Sequence, residues 1–141
     1  MVLEEIKKAL NLGNENSLDF TTTPILRNSS RQTGFKKFLE EIYFLHGKRP
    51  LSSPHIVEIG ALRRDENDPD LAGDGNSTEV FSWFSYQFSV DFTSVEINAE
   101  NYGKAKSMIE KKFPNNKKIK MINGDGLDYL KREDIVIDAL Y

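Results

Sequence analysis

Two carboxylates, Glu96 and Asp125, sit where a protein could grip the polar parts of a nucleotide-like ligand. Glu58 lies in an apolar run, Ile56-Val57-Glu58-Ile59, that stops at Gly60. Glu96 lies at the end of a second run, Phe92-Thr93-Ser94-Val95-Glu96-Ile97, and Asp125 follows a third within Asn123-Gly124-Asp125-Gly126. A carboxylate ending an apolar strand is costly to bury without partners, and a pair of sugar hydroxyls is a matching target. Between the first two runs lie Gly73-Asp74-Gly75-Asn76 and then Ser77-Thr78-Glu79-Val80-Phe81, a glycine turn feeding a helix start. Glycines let backbone approach a ligand closely, and the first amides of a helix favour negative charge. Strand, glycine turn, helix, strand, carboxylate is the layout of a nucleotide-cofactor site in a parallel α/β sheet. Each piece also has a plainer use: Gly60 and Gly75 as ordinary turn glycines, and Asp125 as a residue that shapes a turn between two glycines.

The flanking patterns supply the elements that would carry these residues. His55 to Ile59, Phe92 to Ile97, Ile119 to Ile122 and Ile135 to Tyr141 read as strands. Helical spacing appears from Ser77 through Phe84 and beyond, from Asn98 as a cap through Tyr102, Ala105, Met108, Ile109 and Phe113, and from Leu127 to Lys131. Alternation of strands and helices implies a doubly wound parallel sheet, with the strands expected in the order third, second, first, fourth. Ahead of it, Val2 to Leu12 reads as an amphipathic helix. Phe35, Phe38, Leu39, Ile42 and Leu45 read as a stronger one, capped by Thr33 and ended by Gly47. Residues 1–54 are thus expected to be a helical extension and connector, and residues 55–141 the α/β domain. A fourth strand this apolar calls for neighbours, so the domain is expected to be a truncated one, the front part of a larger sheet. Pairing of two copies into a homodimer through that edge is the expected remedy.

Composition narrows the function classes. The 141 residues include nine Phe, five Tyr and one Trp, enough bulky material for one core, and no cysteine. Thiolate metal sites, disulfides and thiol nucleophiles are therefore excluded, which fits a reducing cytoplasmic setting. A net charge of −3 gives no global pull toward nucleic acid or an anionic membrane, and no apolar run reaches the length of a membrane span. Lys111, Lys112, Lys117, Lys118 and Lys120 read as a wet helix end and loop. The acidic segment Arg63 to Asp70 lacks EF-hand spacing and reads as a solvated loop or a lid, so no metal site is expected. His46 and His55 stand apart from any ligand-like spacing. Phe81, Trp83, Phe84, Tyr86 and Phe88 are expected to pack the sheet.

Val57-Glu58-Ile59-Gly60, Gly73-Asp74-Gly75-Asn76-Ser77-Thr78, Ser94-Val95-Glu96-Ile97 and Asn123-Gly124-Asp125 together resemble the Rossmann-like, class I S-adenosylmethionine-dependent methyltransferases, over about residues 31 to 141. The resemblance implies that Glu58 and Gly60 border the methionine part of the cofactor. It implies that Gly73, Gly75, Ser77 and Thr78 close the turn, that Glu96 takes the ribose hydroxyls, and that Asp125 approaches the adenine. One departure is the segment Ala61 to Ala72, which separates Gly60 from Gly73 where the family has a compact turn. No catalytic residue and no methyl acceptor can be assigned. Two other readings stay open: a cofactor-binding or interaction module without catalysis, and an NAD-dependent oxidoreductase. The second lacks a Gly-x-Gly-x-x-Gly after the first strand, and no Gly-Lys-Ser/Thr of a P-loop occurs.

Overall fold

β-branched and apolar residues in short runs form four strands, and longer amphipathic stretches form the helices between them. The computed structural model describes residues 34, 37, 38, 41, 42, 54–61, 77–88 and 90–141. In chain order these give β1 (His55–Ile59), α1 (Ser77–Phe88), β2 (Asp91–Glu96), α2 (Ala99–Lys112), β3 (Ile119–Asn123), α3 (Gly126–Leu130) and β4 (Ala139–Leu140). The strands form one open, all-parallel sheet in the order β3-β2-β1-β4, as expected from the alternation. Register places Ile56 beside Phe92 and Ala139, Phe92 beside Ile119, and Glu58 beside Ser94, which in turn pairs with Met121.

Because side chains alternate across a strand, that register defines two faces. One carries Ile56, Phe92, Ile119 and Met121 and packs on Val80, Phe81 and Phe84 of α1 and Ala105, Met108 and Ile109 of α2. Phe38 and Ile42, which are helical, join this layer, and the Phe38 ring lies 5.2 Å from Phe81. The opposite face packs Val57, Val95 and Ile122 on Tyr129 of α3, with Ile135 and Ile137 alongside. Helices therefore cover both faces of the sheet.

Asn98 starts α2 as expected: its side chain accepts from the amides of Glu100 and Asn101, each at 3.0 Å. Lys111 and Lys112 sit in the last turn, where cations suit the helix dipole. Lys112 also reaches Glu79 of α1 at 2.6 Å, tying the two helices of one layer together. Among the aromatic residues of α1, Phe81, Trp83 and Phe84 are buried, whereas Tyr86 is exposed and stands 5.7 Å from Phe113.

The fourth strand is shorter than the run Ile135 to Tyr141 suggests. Only Ala139–Leu140 forms strand, although Tyr141 extends the ladder by donating to Val57 O at 2.9 Å and accepting from Ile59 N at 3.0 Å. The preceding residues are held by His55 instead. The His55 amide donates to Asp138 Oδ2 at 2.9 Å, and its ring nitrogens lie 2.8 Å from Val136 O and 2.9 Å from Thr93 Oγ1. The Asp138 amide still joins the backbone ladder, donating to His55 O at 3.0 Å, while the His55 ring holds the residues before it and Val136 is left exposed. The expected helix over Val2 to Leu12, the residues Thr33 and Gly47 expected to bound the second helix, His46 and the loop at residues 63–70 all lie outside the described residues. Among the described residues no helix is long and apolar enough to cross a membrane.

Candidate functional site

The carboxyl ends of β1 and β2 bring Glu58 and Glu96 onto the same sheet face, close enough for their charges to interact. Glu58 is fully buried, and three hydroxyls converge on it. Thr78 Oγ1 donates to Oε2 at 2.8 Å, Ser94 Oγ donates to the same oxygen at 2.7 Å, and Ser77 Oγ donates to Oε1. Burial pushes the Glu58 carboxyl above the ordinary glutamate range. The hydroxyls of Ser77, Ser94 and Thr78 pull in the other direction, and the neighbouring charge of Glu96 adds to the rise. Two of the donors come from the first residues of α1, so the carboxyl pins the start of that helix to the end of β1.

Glu96 is also buried, but its partners are backbone. Oε2 accepts the Ala61 amide at 2.8 Å and Oε1 accepts the Asn98 amide at 2.7 Å. The side chain therefore clamps the segment leaving β1 to the segment leaving β2. Each carboxylate oxygen can accept more than one hydrogen bond, so the clamp leaves acceptor capacity on both. Gly60 lies beside it with φ +92°, a left-handed backbone that glycine adopts without strain, and its amide donates to Val95 O at 2.8 Å. A Cβ built on Gly60 would meet no atom of the described residues within 4 Å.

Ser77 and Thr78 stand at the start of α1, next to Glu58. Gly73 and Gly75 lie outside the described residues. Asp125 is exposed and serves as the N-cap of α3, accepting the Asp128 amide at 3.0 Å. It lies at the same edge as Glu96: the Gly124 amide donates to Glu96 O at 3.0 Å, and Asn123 Nδ2 donates to the same oxygen at 2.8 Å. The structure thus gathers Glu58, Gly60, Ser77, Thr78 and Glu96, with Asp125 one strand further along the edge.

Four contributors escaped the sequence pattern. Ser94 supplies the third hydroxyl to Glu58, and the parallel register of β1 and β2 is the signal that would have shown it. Ile97 and Leu127, 69% and 62% exposed, follow the two edge carboxylates Glu96 and Asp125 and leave large apolar side chains in solvent. Gly126 is required by packing: a Cβ there would stand 2.5 Å from Ile59 Cγ2. Comparisons with protein-family models, with curated proteins and with solved structures returned no match.

Proposed function

We propose that this chain binds S-adenosylmethionine along the carboxyl edge of β1, β2 and β3, as a domain of methyltransferase type. The observation that carries the reading is the Glu96 clamp: a buried carboxylate, oriented by two backbone amides, beside a positive-φ glycine whose Cβ position is clear of the described residues. A vicinal diol offers two O–H donors, and the remaining acceptor capacity of Glu96 suits them. Gly60 itself adds no side-chain bulk to the approach. Ile97 and Leu127 offer apolar surface on which a flat base would exclude water. Such a cofactor, held at its ribose by Glu96, would supply an electrophilic methyl group. The protein's part in methyl transfer is positioning and exclusion of water.

A second reading, a cofactor-binding module without turnover, draws on Glu58 and Asp125. Both are engaged in holding α1 and α3 in place, and neither is free to act as a proton acceptor without loosening a helix. Thermal denaturation with S-adenosylmethionine, S-adenosylhomocysteine, NAD and ATP in parallel separates the readings. The first two ligands should raise Tm, and Glu96→Gln, which keeps one acceptor, should weaken the effect while remaining folded. No stabilisation by either ligand at millimolar concentration sinks the proposal. Stabilisation by NAD alone replaces it.

A further inference from the structure

Away from the carboxyl edge, the most built surface is the outer side of β3 with the groove beneath it. The ladder to β2 decides which backbone groups of β3 are already used. Phe92 N donates to Lys118 O at 2.9 Å, and Gly124 N donates to Glu96 O at 3.0 Å. Residues 118, 120, 122 and 124 therefore turn their peptide groups toward β2. Successive residues of an extended strand turn opposite ways, so Ile119 and Met121 direct their N–H and C=O groups outward. β3 is the last strand of the sheet on that side, and among the described residues no strand pairs with its outer edge.

The side chains of the same two residues line a groove of about 530 Å³ between β3 and α2, together with Tyr102, Ile109 and Phe113. That volume is within the range of about 300–1,000 Å³ typical of ligand sites. Lys106 and Lys117 also line it, against a single acid, Glu110. Lys120 is exposed on the other face of β3. The chain as a whole carries a net charge of −3, so this lysine-bordered edge runs against its overall sign.

Lysines on an edge strand ordinarily guard against self-pairing, because a second copy of the edge would bring like charges together. The same lysines attract a strand of opposite charge. We infer that β3 accepts an extended acidic segment of another protein as an added strand. Alternate apolar side chains of that segment enter the groove, and acidic ones between them face Lys120, with Lys117 meeting an acidic end. This inference is independent of the cofactor reading.

The test uses the whole chain and a labelled heptapeptide, Glu-Val-Glu-Phe-Glu-Val-Glu, followed by fluorescence anisotropy. The peptide should bind. Its N-methylation at one alternate set of residues should abolish binding and at the other set should not, since only one set faces β3. A Lys-for-Glu peptide should fail to bind. The double variant Lys117→Glu, Lys120→Glu, changed only at exposed positions and checked for unchanged Tm, should lose at least about tenfold in affinity. Any of four results overturns the inference: no binding at millimolar peptide, equal binding of both charge forms, indifference to the position of N-methylation, or a single-stranded oligonucleotide that binds the lysines more tightly than the peptide does.

Discussion

Replacing Glu58 by Gln tests the physics of the site most directly, because the substitution keeps the shape and removes only the ionisation. The native carboxyl is held above the ordinary value of 4.5, with burial as the largest cause. The sign follows from proton counting. Between the unfolded and folded pKa values the native chain keeps a proton that the unfolded chain has released, so stability falls as pH rises through that interval. Below it both states are protonated and no penalty exists; above it the penalty is complete and constant. One proton is involved, so the limiting slope is about 1.4 kcal/mol per pH unit. Glu58→Gln has no such slope, and the hydroxyls of Ser77, Thr78 and Ser94 can turn to donate or accept around an amide. Urea denaturation of both proteins from about pH 4 to about pH 9 should therefore give stabilities that diverge in favour of the variant as pH rises and then run parallel. Ser94→Ala removes a bond that lowers the folded pKa, so it should extend the upper end of the interval to higher pH. Glu96→Gln removes only a lesser contribution and should move it partway back. Curves for wild type and Glu58→Gln that stay parallel throughout, or diverge in favour of wild type, would refute the assignment of burial as the dominant effect.

Other expectations concern the frame around the site. Gly126→Ala should cost about 1–3 kcal/mol by overpacking, since its Cβ would stand 2.5 Å from Ile59 Cγ2. Ile59→Ala should relieve much of that cost, so a double-mutant cycle by chemical denaturation should show strong coupling, and additive costs would contradict the contact. Asn98→Ala removes the acceptor for two amides of α2 and should cost about 1 kcal/mol, read from the denaturation midpoint. A loss below the error of that measurement would show that water caps the helix equally well.

Much of the architecture is legible in the residues because it is written at short range. Asn98 before a helical period, Gly60 at the end of an apolar run and Glu96 at the end of another each declare a boundary locally, and the structure keeps all three. What stays hidden depends on pairs distant in sequence. Ser94 is an ordinary strand serine until β2 is laid beside β1 in register, 36 residues from the carboxylate it serves. Ile135 to Tyr141 has the composition of a long strand, yet its backbone joins β1 only from Asp138 onward, and the His55 ring holds Val136 O before that. Gly126 reads as a turn glycine, whereas its need comes from the approach of Ile59 across the sheet edge. Asp125 reads as a ligand contact and a turn former alike, and capping α3 occupies one of its oxygens.

The position of β1 also bears on the order in which the chain assembles. β2 meets β3 across separations as short as 27 residues, and β1 meets β2 across 36, but the bond from His55 to Asp138 spans 83. Closing a longer loop costs more chain entropy before any contact rewards it. β1, β2 and β3 with their helices can therefore come together first, leaving the far side of β1 as a template. The two residues of β4, backed by Tyr141 against the rings of Phe81 and Phe38, dock onto it last and open first.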